Sequence, residues 1–324
     1  MRAAIATAYG SPDVVSLATV GDPSIGDHEI LIEVRATTVS AGDARVRAQR
    51  VPSGFGVIMR LVFGFSRPRR GILGTECSGV VRSVGAKVTR WKPGDAVFAL
   101  TGMSMGAHAE LCVLREDGAV ARKPDAVSFE EAATLAFGGT TALDFFRRAK
   151  LAAGERVLIN GASGAVGAAA VQIAKARGAH VTAVCSARNA ELVRSLGADA
   201  VIDYAREDFC DGSTRYDLVM DAVGNAPYRR SKRALTDRGR LLLVVADLWQ
   251  ILGSTWINAT SKHRVIAGSA PETPEDVQAL SAMVDARALR PVIDHVFAFD
   301  EIRSAHERAD SGHKRGSVVV TVRR

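Results

Sequence analysis

Residues 160–174 read NGASGAVGAAAVQIA, with glycines at 161, 164 and 167 followed by small and apolar residues. Glycines at this spacing leave backbone N–H groups uncovered by side chains. A helix that starts beside them adds the positive end of its dipole, and together these bind an anion. The stretch follows the apolar run RVLIN, which ends at Asn160, and opens a helical pattern that closes on Gly178. Strand, glycine loop and helix start, in that order, form the phosphate-binding context of a dinucleotide fold. Aligned on G-x-G-x-x-G, Gly164 lets the backbone approach a pyrophosphate and Gly167 allows close helix–strand packing. The first position is Ala162, with Gly161 one residue earlier. A tight turn feeding a small-residue packing face carries the same glycines; the strand–helix alternation around the loop favours the dinucleotide. Ser163, Gly164, Ala165, Val166 and Gly167 are therefore the expected phosphate contacts.

The end of the following strand selects the dinucleotide. An NAD site wants a carboxylate about 20 residues beyond the loop, accepting from a ribose 2′-hydroxyl. Here the strand ends VCSARN, so Ser186 stands where the acid would be and Arg188 follows. A hydroxyl and a planar, permanently charged guanidinium suit a 2′-phosphate, which a carboxylate would repel. A cation at a helix start otherwise costs roughly a few tenths of a kcal/mol, unless an anion belongs beside it. The expected cofactor is NADPH. Tyr204, closing the third strand of this region, either flanks the adenine end or is an ordinary strand-end tyrosine.

The elements that must position these residues suggest two domains, since 324 residues at 47% hydrophobic content exceed one compact core. The first third reads as strands (HEILIEVRATTVS, GTECSGVVRSVG, GDAVFAL), with no long helical pattern before Ser128. Ser128 and Glu131 form a capping-box start. Gly138 and Gly139 then break the helical pattern into two pieces. From Arg156 strands and helices alternate, which implies a doubly wound parallel sheet. The tail, from TPEDVQALSAMVDARA to GSVVVTVRR, leaves that alternation and returns to the first domain. The net charge of +7 comes mostly from arginines spread along the chain, which suits anionic small molecules. The densest cluster, SRPRRG, is short, so nucleic acid is not an expected partner. The four cysteines are scattered, with no C-x-x-C pair. The opening MRAAIATAYGSPD reaches a turn by Gly10 without a long apolar segment, and LLLVVADLWQILG is too short to span a bilayer. No membrane association is expected, and the expected setting is cytoplasmic.

Nearly end to end, the chain resembles the medium-chain dehydrogenase/reductase superfamily, on its zinc-independent quinone oxidoreductase branch. The matching pieces include YGSPDVVSL, DHEILIEVRATTVSAGD, ILGTECSGVVRSVGAKVTRWKPGDAVFAL, GAHAEL, SFEEAATLAFGGTTAL, GERVLINGASGAVGAAAVQIAKARGAHV, LGADAVIDY and GHKRGSVVV. The resemblance implies an α/β protein. A GroES-like β-rich catalytic domain would comprise residues 1–125 and 269–324, and a Rossmann NADPH-binding domain residues 126–268. It also implies a homodimer.

Zinc alcohol dehydrogenases of this superfamily carry a cysteine near VSAGD, where this chain has Ser40, Ala41 and Gly42. They carry Gly-His-Glu where it has Gly74, Thr75 and Glu76. Without that thiolate and imidazole, no metal site is expected.

Further positions carry over by motif. Thr141 matches the family threonine near the nicotinamide and its ribose. The backbone around Val244, Val245 and Ala246 either reaches the carboxamide or is simply a buried strand, and Gly224 allows close approach of the cofactor. Ser40 and Asp43 stand in place of an Asn-Pro-x-Asp near the acceptor, as hydrogen-bond donor and orienting group, or else as loop caps. His108 reads as a turn histidine. The usual lysine after the last glycine is Ser317, with Lys314 or Arg315 as substitutes. Residues 54–71 are apolar and then basic, which suits a mobile lid. The implied reaction is NADPH reduction of a quinone or an α,β-unsaturated carbonyl compound. An alcohol/aldehyde or enoyl-thioester reductase and a non-catalytic NADPH-binding redox sensor are the alternatives.

Overall fold

The computed structural model describes residues 1–69 and 71–323, and of Ile58 the backbone alone. Arg70 of the SRPRRG cluster and lid segment, and the terminal Arg324, lie outside the described residues. The chain divides into two compact units. One comprises Met1–Val51, Gly56–Phe137 and Glu272–Arg324; the other comprises Pro52–Phe55 and Gly138–Pro271.

The first unit opens with a hairpin of β1 (Arg2–Ala6) and β2 (Val15–Thr19). Its larger sheet is built on the long strand β3 (Glu29–Val39), after which come the helices α1 (Ala41–Ala48) and α2 (Gly56–Phe63). Next follow β4 (Glu76–Val84), β5 (Ala96–Leu100), β6 (Leu111–Arg115), β7 (Val120–Arg122) and the one-turn helix α3 (Phe129–Ala132). Alternate residues of these strands, among them Ile30, Ile32, Val34, Val81, Val97 and Ala99, meet in one core.

The second unit begins inside α4 (Ala136–Ala149). It then alternates: β8 (Arg156–Asn160), α5 (Ala165–Ala176), β9 (His180–Cys185), α6 (Ala190–Ser195), β10 (Ala200–Asp203), β11 (Tyr216–Asp221), α7 (Tyr228–Ser231), β12 (Leu235–Leu243), α8 (Leu248–Thr260) and β13 (Arg264–Ala267). The sheet order is β10-β9-β8-β11-β12-β13, parallel throughout. Its central strands, such as Val157–Leu158–Ile159 and Leu218–Val219–Met220, are buried without alternation, as a sheet covered on both faces requires.

The tail supplies α9 (Pro274–Asp285), β14 (Ile293–Ala298), α10 (Ile302–Asp310) and β15 (Ser317–Thr321). β15 pairs antiparallel with β3, so the chain's end completes the sheet begun at its start, as expected. This is the two-part α/β architecture anticipated above: a mixed-sheet unit and a doubly wound parallel unit.

Three local expectations need correction. Helices α1 and α2 interrupt the strands of the first third. α1 forms because Ser40 and Asp43 close a reciprocal capping box. Gly138 and Gly139 lie inside α4, and the helical gap falls at 133–135 instead. A Cβ on Gly138 would lie 2.5 Å from the Ala165 carbonyl oxygen, so this glycine serves close packing within the second unit and does not end the helix. The segment PYRRSKRALTDRG holds only the four-residue α7 and a short 3-10 turn before β12.

Candidate functional site

In the parallel unit the strand order reverses between β8 and β11. The chain steps from β8 outward through β9 to β10, then from β11 outward through β12 to β13. Crevices at the carboxyl ends of such strands are where open α/β sheets bind ligands. The glycine loop fills this position. Gly161 takes a left-handed φ of +81°, and Gly161 and Ala162 both donate N–H to the Val184 carbonyl at 3.1 Å, which ties the loop to β9. At Gly167 a Cβ would fall 2.1 Å from the Gly161 carbonyl oxygen, so only glycine lets α5 start so close to the loop. Gly164 is the N-cap of α5. It offers no capping side chain, and no acid occupies the first turn, so Ala165, Val166 and Gly167 begin a helix whose positive end has no built-in counter-charge.

The neighbouring strand ends close round this loop. Asn189 Nδ2 donates to Ser163 Oγ at 2.9 Å, while Asn189 Oδ1 is buried without a partner. Ser186 is half-buried at the end of β9, and Arg188 is exposed one residue before Asn189. Asp203 stands in register with Cys185; its Oδ1 accepts the Ala205 N–H and its Oδ2 lies 3.8 Å from Arg206 Nε. Tyr204 is 58% exposed, which leaves both of its readings open. Asp221, fully buried, accepts Asn160 Nδ2 and the N–H groups of Val223, Gly224 and Ala226 at 2.7–3.0 Å. This holds Gly224 at a left-handed φ of +94°, where a Cβ would meet Val245 Cγ1 at 3.0 Å. The structure thus brings Ser163–Gly167, Ser186, Arg188, Gly224 and Val245 to one end of one sheet. Thr141 lies half-buried on α4, the helix whose Gly138 packs on Ala165.

In the mixed-sheet unit a second cluster forms from side chains. Ser40 Oγ donates to Asp43 Oδ2 at 2.6 Å, the Ser40 N–H reaches the same oxygen at 2.8 Å, and Asp43 N–H returns to Ser40 Oγ at 3.1 Å. Thr75 Oγ1 lies 3.1 Å from Ser40 Oγ, and Gly74 N–H donates to Asp43 Oδ1 at 3.2 Å. Next to Thr75, Glu76 is buried in full. Its Oε1 accepts Thr38 Oγ1–H at 2.6 Å and its Oε2 accepts Phe137 N–H at 2.7 Å. Burial pushes the Glu76 carboxyl up to about 7. The two hydrogen bonds oppose that rise, Asp43 adds to it, and Lys314 opposes it. Lys314 is itself held below its ordinary value by burial, against attraction from Glu76, Asp43 and Asp294.

An alcohol dehydrogenase GroES-like domain model matches residues 26–125, and a zinc-binding dehydrogenase model matches residues 196–320. A chloroplastic quinone-oxidoreductase homolog of Spinacia oleracea is 31% identical over 326 residues, covering 96% of this chain and 95% of the relative. The chain belongs to the medium-chain dehydrogenase/reductase superfamily, on its quinone oxidoreductase branch. A 2-methylene-furan-3-one reductase of Solanum lycopersicum is 29% identical over 332 residues, covering 99% of this chain and 79% of the relative. The solved structure of the quinone oxidoreductase from Coxiella burnetii superposes with a TM-score of 0.86 at 30% identity, covering 100% of this chain and 99% of that one. This medium-chain dehydrogenase/reductase is therefore an oxidoreductase of a nicotinamide-dependent family.

One of the matching models describes zinc-binding dehydrogenases, and the donor set here does not fit that metal. Ser40 and Thr75, at two of the positions where zinc relatives carry ligands, do converge. They offer two neutral hydroxyls bonded to each other and to a capping aspartate, where zinc takes thiolate, imidazole or carboxylate. Among the described residues no group of three or more histidines, cysteines or acids is arranged to hold a metal ion.

Sequence reasoning missed Asn189, Asp221, Thr38 and the chemical character of Glu76. His108 sits in a bend, as read, and is buried. His108 Nε2 donates to the Thr38 carbonyl at 2.9 Å, and its ring stands edge-on to His306 at 5.4 Å. The signal for Asn189 and Asp221 was present as polar residues, Asp221 closing a buried strand and Asn189 shortly after one, where a loop needs its N–H groups satisfied.

Proposed function

We propose that this protein is an NADPH-dependent, zinc-independent oxidoreductase that reduces quinones or α,β-unsaturated carbonyl compounds. The observation that carries the cofactor choice is the end of β9, where Ser186 and Arg188 lead into Asn189, which bonds Ser163 just before the uncapped start of α5. A carboxylate at the position of Ser186 would select NADH; a hydroxyl followed by a guanidinium favours an extra phosphate. The fit of a dinucleotide is supported by the cradle at Gly161, Gly164 and Gly167 and by the unpartnered, buried Asn189 Oδ1.

In this reading Ser163–Gly167 hold the pyrophosphate, and Ser186 and Arg188 hold the 2′-phosphate, with Tyr204 flanking the adenine. Gly224 and Val245 line the path to the nicotinamide, and Thr141 orients it. When bound, NADPH supplies hydride. The chain positions the acceptor and excludes water. Ser40 and Asp43, locked in the α1 capping box, fix the wall of the acceptor site and present Thr75 to it. The quinone oxidoreductase and enone reductase relatives support the two acceptor classes.

In this reading the segment 54–71 is the lid, and its apolar α2 exposes Val57, Leu61 and Val62. A homodimer belongs to the same reading. It is favoured by the open edge strand β13 and by α8, which packs on that strand and exposes Trp249, Leu252 and Trp256. Four buried, unpaired cysteines suit a reducing, cytoplasmic setting, and no helix among the described residues is long and apolar enough to cross a membrane.

The test is NADPH oxidation against a panel of small quinones and enones, with aldehydes and enoyl thioesters alongside. Turnover with the first two classes is expected. Turnover with aldehydes or thioesters alone, or NADPH binding without turnover on any acceptor, overturns the proposal.

A further inference from the structure

Residues 44–75 contain seven arginines and no acidic residue. Within them lies α2, which is apolar on both sides. Met59 and Phe63 turn inward and pack on the core of the mixed-sheet unit. By helical spacing Val57, Leu61 and Val62 fall on the arc away from them, and Phe65 follows just past the helix end. These four side chains are between 49% and 70% exposed. They are four of the six large apolar side chains that the described residues of this unit leave exposed, so they form a patch and not the usual scatter of single residues.

The chain after α2 brings charge to the same end. Gly64 takes a left-handed φ of +117°, and a Cβ there would stand 2.3 Å from the Arg67 carbonyl oxygen, so the turn is tight. Arg69 N–H returns to the Phe63 carbonyl at 2.6 Å, and the Tyr9 hydroxyl donates to the Gly64 carbonyl at 2.8 Å. The fold-back leaves a cavity of about 480 Å³, walled by Ile5, Thr7, Phe65, Ser66, Arg67 and Arg69, all of one unit. Arg60 belongs to the same neighbourhood: its guanidinium and that of Arg69 both act on the Tyr9 phenol, opposing the rise that burial causes. Arg47 and Arg50, earlier in the chain, are both met by Asp310. Among the described residues no carboxylate lies within 4.0 Å of the Arg60, Arg67 or Arg69 nitrogens.

We propose that α2 and the turn after it dock this protein on an anionic lipid surface, with Val57, Leu61, Val62 and Phe65 entering the headgroup layer and Arg60, Arg67 and Arg69 meeting lipid phosphates. An apolar face flanked by unpaired cations is the composition of a helix that lies in the plane of a membrane. The cavity lined by Arg67 and Arg69 is larger than a phosphate group, which it can admit. Other occupants fit less well. A second copy meeting this face about a two-fold axis would bring the same arginines together with no acid to receive them. A nucleic acid would engage the arginines and leave the aliphatic side chains without a partner. The proposal departs from the expectation of no membrane association, which rests on the lack of a spanning segment. Lying on a surface needs none, and no helix among the described residues is long and apolar enough to cross. The docking needs no turnover, so a failure of the oxidoreductase reading would leave it in place.

The test is co-sedimentation of the full chain with vesicles. Vesicles of phosphatidylcholine and phosphatidylserine in equal parts should take up the protein, and vesicles of phosphatidylcholine alone should not. High salt should release it, because the charges concerned are exposed. Arg67→Ala combined with Arg69→Ala should weaken uptake by about 30-fold, at about fivefold for each arginine near an anionic surface. Leu61→Ser combined with Phe65→Ser should weaken it by about tenfold through lost apolar contact. All four side chains are exposed, so neither pair should change the melting temperature. The lipid and salt dependence of the unaltered chain carries the test even if a variant misfolds. No uptake by the mixed vesicles, equal uptake by both kinds, or uptake that either pair leaves unchanged overturns the proposal. Binding to polyglutamate without uptake by vesicles also overturns it, and makes the partner an acidic protein segment. So does a smaller oligomer in Leu61→Ser with Phe65→Ser, which would mean that a second copy covers the face.

Discussion

In the parallel unit the candidate site is made of backbone. Its donors are N–H groups at the start of α5, its shape comes from glycines, and its few side chains, Ser163, Asn189 and Asp221, mostly hold main chain or one another. In the mixed-sheet unit the candidate site is made of side chains. Ser40, Asp43, Thr75 and Glu76 come from α1 and from the run just before and into β4, and their charges are buried against each other. Backbone dipoles are fixed charges that do not titrate, so the first site should respond to shape and hardly to pH. Buried acids and bases do titrate, so the second should respond to pH and tolerate small changes of shape better.

The largest expected effect tests the first half of that contrast. In Gly167→Ala the new Cβ would stand 2.1 Å from the Gly161 carbonyl oxygen, a backbone atom with nowhere to go. A loss of about 3 kcal/mol in thermal or denaturant unfolding is expected, with NADPH binding abolished. Gly164→Ala is its control. There the nearest atom is the Gly161 carbonyl oxygen at 3.5 Å and φ is −81°, so the fold should stand while the pyrophosphate loses its approach. If both variants unfold alike, or if Gly167→Ala melts like wild type, the glycines do not divide their work between packing and binding.

How far each site was legible follows from the same difference. Glycine spacing after an apolar strand is written in consecutive residues, so the loop and the start of α5 could be read from the chain. Asn189 could not, because its role appears only when Ser163, 26 positions away, folds back against it. In the other unit the local signals misdirect. Ser40-x-x-Asp43 carries two readings, acceptor chemistry by resemblance and a cap, and the structure shows the cap, which also fixes Thr75. Gly138 reads as a helix breaker, yet its missing side chain serves a contact with Ala165. Glu76 gains its character from Thr38, Phe137, Asp43 and Lys314, which reach it from four separate stretches of chain.

The next effect is smaller and sharpens the charge logic of the backbone-built site. Arg188 is exposed, so Arg188→Ala should leave the melting temperature unchanged. Calorimetry should give NADPH binding weaker by roughly 10- to 100-fold, the worth of a charge-assisted hydrogen bond to a phosphate. NADH binding should change by no more than about twofold, within the scatter of neutral contacts. An equal loss for both cofactors would remove the basis for assigning NADPH.

The smallest effect probes the titrating interior of the mixed-sheet unit beyond Glu76. His306 on α10 is 0% exposed, with neither ring nitrogen hydrogen-bonded. Burial holds it well below its ordinary value, and the neighbouring His108 and Arg47 push in the same direction. A base depressed in the fold stays neutral there while the unfolded chain takes up a proton below about pH 6.5, so stability falls as pH drops through that value. Glu76 works in the opposite sense: its raised carboxyl keeps a proton in the fold, and stability falls as pH rises from 4.5 towards about 7. His306→Leu removes only the first slope. Its melting curve should gain on wild type by about 2 kcal/mol between pH 8 and pH 5, through the loss of that proton linkage. A constant offset between the two proteins across that range would mean that His306 is protonated to the same extent folded and unfolded. The pH sensitivity of this unit would then have to come from Glu76 and its partners alone.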